Sequence, residues 1–145
     1  MTLGIAPLRP ADRANWERLA RGYHSFYNEQ FPPDAYQRAW SRLREAREIH
    51  ALGAYADTCL VGIVHYLFHC HVWQPDVCYV QDLFVDDGMR GRGVARALIA
   101  RVECEARTRG AFRVYWLTKH DNVPARRLYD QIATYSGFIR YEDPV

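Results

Sequence analysis

The chain has 145 residues, 49% hydrophobic and 25% charged, with a formal net charge of +2. That composition fits one folded domain, residues 1–145, and excludes a disordered, collagen-like or coiled-coil chain. No stretch approaches the roughly 18 apolar residues of a membrane span, and the Met1–Pro7 start lacks a basic segment followed by a long apolar run, so the expected location is the cytoplasm, away from membranes.

In chain order, Gly4–Arg9 reads as a short strand closed by Pro10, and Asp12 is placed to cap a helix. Trp16, Leu19, Ala20, Tyr23, Phe26 and Tyr27 recur at helical spacing, predicting an amphipathic helix that stops before Pro32-Pro33. Asp34 opens a second helix with Tyr36, Ala39, Trp40 and Leu43 on one face. The period then changes. Ile49–Ala56 and Cys59–Val72 are rich in β-branched and aromatic residues and meet at Asp57-Thr58, which predicts a hairpin. Val77–Val85 is a further strand, followed by a Gly/Arg loop and a helix over Val94–Arg109 that buries Val94, Ala95, Leu98, Ile99, Val102 and Ala106 and stops at Gly110. Arg113–Thr118 completes a βαβ unit with a parallel strand pair. Asn122 caps a helix through Ile132, and Phe138–Tyr141 reads as a last strand.

The four cysteines, Cys59, Cys70, Cys78 and Cys104, form no C-x-x-C pair, which predicts reduced thiols rather than a zinc or redox motif. A net charge of +2 is too small to mark a nucleic-acid binder, but its distribution is uneven. Between Gly88 and Val114 stand seven arginines against Glu103 and Glu105. Just upstream, Asp76, Asp82, Asp86 and Asp87 lie in a stretch without a basic residue, so an acidic surface adjoins a basic one.

The sharpest motif is Arg90-Gly91-Arg92-Gly93-Val94-Ala95, between an apolar strand and an amphipathic helix. A loop so placed aims unpaired backbone N–H groups along the positive end of a helix, and its glycines let a phosphate approach the backbone. Neither a dinucleotide fingerprint nor a Walker A loop fits: Arg96 stands where the first needs Gly or Ala, and the second needs G-K-[ST].

On these residues the chain resembles the GNAT superfamily of N-acetyltransferases, whose signature [Q/R]-x-x-G-x-[G/A] is matched by Arg90, Gly93 and Ala95. Asn122, Ala125 and Tyr129 match the N-x-x-A-x-x-x-Y pattern of the family's next motif. Tyr79–Val85 with Tyr115-Trp116 is most similar to the small polyamine and histone-lysine acetyltransferases. The resemblance implies an α/β (α+β) GNAT fold: a mixed, splayed sheet with helices on both faces. It implies acetyl-coenzyme A as co-substrate and direct transfer to a primary amine of a polyamine-like molecule or a lysine side chain. An amino acid or drug-like amine is the alternative acceptor, and a non-catalytic acyl-coenzyme A sensor the alternative function. The amides of Arg90, Gly91, Arg92, Gly93, Val94 and Ala95 would hold the pyrophosphate, with Arg90 or Arg92 adding charge. Leu83, Phe84 and Val85 would line the pantetheine arm, with backbone pairing from Leu83 and Val85, and Asn122 and Arg126 would lie near its pantetheine or adenosine end. Tyr129 would protonate the leaving thiolate; on periodicity alone it reads first as a core aromatic beside Ala125, Leu128 and Ile132, and the motif turns that reading towards catalysis.

The base is open. Polyamine-acetylating relatives carry glutamate where Gln81 stands, and an amide is no base. Asp82 points to the other face of a regular strand, so it serves only if the strand bulges. A water chain ending at Gln81, or a histidine, would also serve. His65, His69 and His71, at even spacing, read first as exposed strand residues; no fourth ligand makes them a metal site. Asp82, Asp86 and Asp87 suit a cationic amine or, equally, a solvated turn. Finally, Gly137-Phe138 follows Tyr129 by eight residues rather than the family's usual four, which predicts an extra helical turn and leaves room for only one strand after it. The resulting unpaired sheet edge predicts a homodimer or a dimer of dimers.

Overall fold

The change of period near residue 49 is where the chain passes from helices to sheet. The computed structural model describes residues 1–145. Strand β1 (Leu3–Ala6) is followed by a 3-10 turn (Pro10–Asp12), then helices α1 (Arg13–Phe26) and α2 (Pro33–Glu45). Strands β2 (Ile49–Ala56), β3 (Cys59–His69) and β4 (Val77–Val85), helix α3 (Val94–Arg109), strand β5 (Arg113–Trp116) and helix α4 (Val123–Ile132) complete the chain. The five strands lie in sequence order in one sheet, antiparallel except for the parallel β4–β5 pair.

Each face of the sheet buries its own core. On one side Val94, Leu98, Val102 and Ala106 of α3 cover Leu52, Val64, Tyr66, Cys78 and Val80. On the other, Trp16 and Leu19 of α1 and Tyr36, Trp40 and Leu43 of α2 cover Leu60 and Ile63. Full burial of such side chains contributes roughly 1.5–3 kcal/mol each. No helix is long and apolar enough to cross a membrane.

Six expectations change. The first strand ends at Ala6, before Pro7, and Asp12 does not cap α1 with its side chain. Its carboxylate turns back to the Arg9 amide (2.7 Å), the Arg9 guanidinium and the Tyr55 hydroxyl (2.6 Å). Although burial works against ionisation, these partners bring its pKa down to about 2. Strand β3 stops at His69 and β5 at Trp116, two residues short of the predicted end in the latter case. Helix α4 ends at Ile132 with Ala133 extended, so the extra residues after Tyr129 form no added turn. Phe138–Tyr141 is not a strand: the segment makes no ladder, and Phe138, Ile139 and Tyr141 are exposed.

Candidate active site

The Arg90–Ala95 loop owes its shape to its glycines. Gly91 (φ 72°) and Gly93 (φ 79°) adopt left-handed conformations that side chains rarely allow, and a Cβ at either would project into open space. The backbone amides of Gly91 through Arg96 find no acceptor within the chain; the first bond of the turn is Ala97 N–H to Gly93 O at 3.0 Å. Unpaired donors, open space and the positive end of a 16-residue helix suit a phosphate group. Arg90 is a strut rather than a free ligand: its guanidinium pairs with Asp87 (2.9 Å) and lies over Phe84 and Phe26. Arg92 has no acidic partner and is the cation left for an anion.

Beside this loop the sheet opens. β4 pairs with β5 only from Val77 to Val80, so on the β5 side its edge from Gln81 to Val85 has no strand partner. An extended ligand arm can pair there as an added strand, along Leu83 and Val85. Tyr23, Tyr27, Gln81, Leu83, Trp116 and Tyr129 line the cleft between the diverging strands. A larger hollow of about 290 Å³ near Arg44, His50, Tyr66 and Glu105 lies elsewhere and holds none of the expected residues.

Tyr129 therefore reaches the cleft, edge-on to Trp116 with ring centroids 5.3 Å apart. Burial pushes its hydroxyl up to about 12, so it is protonated at neutral pH. An ordinary thiol has a pKa well below this, so full transfer of the proton to the sulfur is uphill. A phenol so placed stabilises negative charge on a departing sulfur chiefly by donating a hydrogen bond.

The base question turns on one irregularity in β4. His65 pairs with Asp82 but Tyr66 pairs with Val80, which leaves Gln81 as the extra residue of a β-bulge. The bulge reverses the alternation: Cys78 and Val80 belong to the α3 core, whereas Asp82 and Phe84 face α1. Asp82 thereby meets His65, with Oδ2 2.8 Å from Nδ1, while Nε2 of the same ring accepts from the Trp16 indole N–H at 2.9 Å. Tyr23 and Tyr27 stand close enough that the Asp82 charge adds to burial in pushing their hydroxyls up.

The histidines do not act as a set. His65 is half-buried in this arrangement rather than exposed, His69 bonds the Tyr115 hydroxyl (3.0 Å), and His71 lies beyond the strand. Of the acidic residues, Asp86 pairs with Arg18 and Asp87 with Arg90, whereas Asp82 pairs with His65 behind Tyr23 and Tyr27 of the cleft wall. Asn122 donates to Thr118 Oγ1 (3.2 Å) and Arg126 to the His120 carbonyl (2.8 Å), so both side chains brace the loop before α4. Trp16 and Lys119 were not singled out as site residues from the sequence. Trp16 carries only a core signal there. Lys119, the single lysine, has its Nζ 5.7 Å from the Tyr27 ring centroid.

Unpaired amides at a helix start, a splayed parallel pair and a cleft tyrosine together suit an anionic ligand with an extended arm. Residues 15–133 match the model of the acetyltransferase (GNAT) family. D-amino-acid N-acetyltransferase HPA3 of Saccharomyces cerevisiae is 32% identical over 143 residues, covering 95% of this chain and 88% of that protein. Ribosomal-protein-alanine N-acetyltransferase from Brucella melitensis biovar Abortus 2308 superposes with a TM-score of 0.82 at 25% identity, over 99% of this chain and 100% of the other. An aminoglycoside acetyltransferase, HMB0005, from an uncultured soil metagenomic sample gives 0.81 at 27% identity, over 100% and 99%. The chain belongs to the GNAT family. It is an N-acetyltransferase whose acetyl donor is acetyl-coenzyme A.

Proposed function

We propose that this enzyme acetylates the amine of a small acceptor that also carries a carboxylate, an amino acid in class. One observation carries this reading: opposite charges flank Tyr27 at the cleft, with the Asp82 carboxylate acting on its hydroxyl and the Lys119 ammonium over its ring. An amino acid's ammonium suits Asp82 and its carboxylate suits Lys119. A polyamine or a lysine side chain matches Asp82 equally well, but a second cationic centre on a polyamine meets Lys119 with like charge. The relation to a D-amino-acid N-acetyltransferase supports the same class.

In this reading the amides of Gly91 to Ala95 and the Arg92 guanidinium hold the donor's pyrophosphate, and the free edge at Leu83 and Val85 aligns its arm. Asp82 accepts a proton from the acceptor's ammonium, which frees the lone pair that attacks the acetyl carbon. As the carbon–sulfur bond breaks, Tyr129 donates to the sulfur. Gln81, exposed at the bulge, lines the approach and takes no proton. The four free cysteines fit a reducing compartment, the cytoplasm.

The test is thiol release from acetyl-coenzyme A with D- and L-amino acids, a polyamine, a lysine peptide and an aminoglycoside. An amino acid should give the highest kcat/KM. A higher value for the polyamine or the peptide would return the acceptor to that class, and donor binding without turnover of any amine would make the chain a sensor.

Two copies are also proposed to associate. Phe138, Ile139 and Tyr141 are exposed at 83%, 71% and 88%, and β5 is an open sheet edge. Pairing of this segment with another copy would cover both. Light scattering should give twice 16.9 kDa or a multiple of that; a mass of 16.9 kDa would refute association.

A further inference from the structure

We propose that Trp16 and His65 are positioning residues for Asp82: the Trp16 indole fixes His65 as the neutral ring protonated on Nδ1, and that N–H aims the Asp82 carboxylate at the acceptor amine. This rests on the reading of Asp82 as the acceptor-side carboxylate. An indole nitrogen only donates, so the 2.9 Å contact from Trp16 Nε1 requires a lone pair on His65 Nε2. The single ring proton is then on Nδ1, directed at Asp82 Oδ2 at 2.8 Å. The tautomer follows from the donors at each end of the ring.

The arrangement is anchored in the core. Trp16 is 1% exposed and packs on Trp40 and Tyr36, with ring centroids 5.2 and 6.3 Å away. From that fixed point two hydrogen bonds cross from α1 through β3 to β4, and they reach Asp82 only because the bulge at Gln81 places His65 and Asp82 opposite each other. The titratable groups around Asp82 are His65 from β3 and Tyr23, His24 and Tyr27 from α1. Tyr36 of α2 holds His24 at 2.7 Å, and Glu29 and Arg21 act on His24 from the rim.

This geometry divides the labour. His65 has no free lone pair, so it does not take the acceptor's proton. In the transfer an N–H bond of the ammonium breaks, an O–H bond forms on Asp82, and His65 neither gains nor loses a proton. A second proton on His65 would set its Nε2–H against the indole N–H, two donors facing each other. Trp16 thereby keeps the ring neutral and prevents an imidazolium from neutralising the carboxylate.

Three measurements test this. In the wild-type protein, nitrogen NMR should show His65 protonated on Nδ1 and unprotonated on Nε2 at pH 7; an Nε2-protonated ring or an imidazolium overturns the proposal. Trp16→Phe removes the donor while keeping an aromatic ring, so nitrogen NMR should show part of the His65 population protonated on Nε2. A ring still held wholly in the Nδ1-protonated form overturns it. Because Trp16 is a core residue, His65→Gln provides a variant that leaves the core intact: its amide accepts from Trp16 and donates to Asp82 without titrating. It should keep kcat/KM within about tenfold of wild type, whereas Asp82→Asn should lose about a hundredfold or more. A His65→Gln loss equal to that of Asp82→Asn would make His65 the base and overturn the proposal. An Asp82→Asn enzyme of normal kcat/KM would instead sink the acceptor-site reading, whatever tautomer the NMR shows.

Discussion

The two ends of the cleft are built differently. The end proposed to hold the donor is mostly backbone: a short loop, two glycines with positive φ and the first turn of α3, all within a few residues of one another. The end proposed to hold the acceptor is made of side chains from α1, β3, β4 and the loop after β5, and it depends on one bulge for its register. The donor's phosphates are the same in every turnover and suit fixed amides. An acceptor is read by charge and shape, which side chains supply.

The sharpest way to separate the ends is to damage the donor end alone. Gly93→Val forces a β-branched residue to φ 79° and fills the open space above the loop. The thermal stabilisation conferred by acetyl-coenzyme A should vanish, while the folded protein retains the His65 tautomer; an undiminished thermal shift would place the donor elsewhere. Next in size, Tyr129→Phe acts where the two ends meet. It should lower kcat about a hundredfold with little change in KM for acetyl-coenzyme A, and a near-normal kcat where chemistry limits the rate would leave Tyr129 a packing residue. Because burial raises its hydroxyl to about 12, Tyr129 should contribute no basic limb to the wild-type profile below about pH 10.

Acid should probe the support of the acceptor end. Asp12 holds the chain at the start of α1, the helix that carries Trp16, and its pKa is depressed from 3.8 to about 2. A depressed carboxyl contributes stability that is complete above its unfolded value and is lost as pH falls from about 4 towards 2. The contribution is about 2 kcal/mol. Asp12→Asn should remove it at neutral pH and flatten acid unfolding in that window; a variant with wild-type denaturant midpoints at pH 7 and pH 3 would contradict this. The smallest effect is expected at the rim. Lys119→Ala should raise KM for an amino acid by about fivefold, on the order of 1 kcal/mol for an exposed charge, with kcat and donor binding preserved. No change in KM would remove Lys119 from the acceptor site.

Legibility followed the same division. Strand β4 and helix α3 lie at their predicted bounds, because hydrophobic period, Gly93 and Gly110 are local signals. The glycine turn between them was readable for the same reason. His65 and Asp82 entered the sequence reading as separate candidates for the base, 17 residues apart. Nothing local joins them, since a strand's alternation is regular until pairing makes it otherwise. The C-terminal segment erred in the opposite direction: Phe138–Tyr141 has strand composition, yet without a neighbour it forms no ladder.

By itself the sequence determined the order of elements through α4 and the glycine turn before α3, because each is encoded by residues a few positions apart. Tertiary structure alone decided that β4 bulges at Gln81, that Asp82 faces α1, and that Trp16, His65 and Asp82 share one line of hydrogen bonds. Those outcomes depend on which strand lies opposite and which helix packs above. They are settled by competition among long-range contacts, and no single segment carries that information.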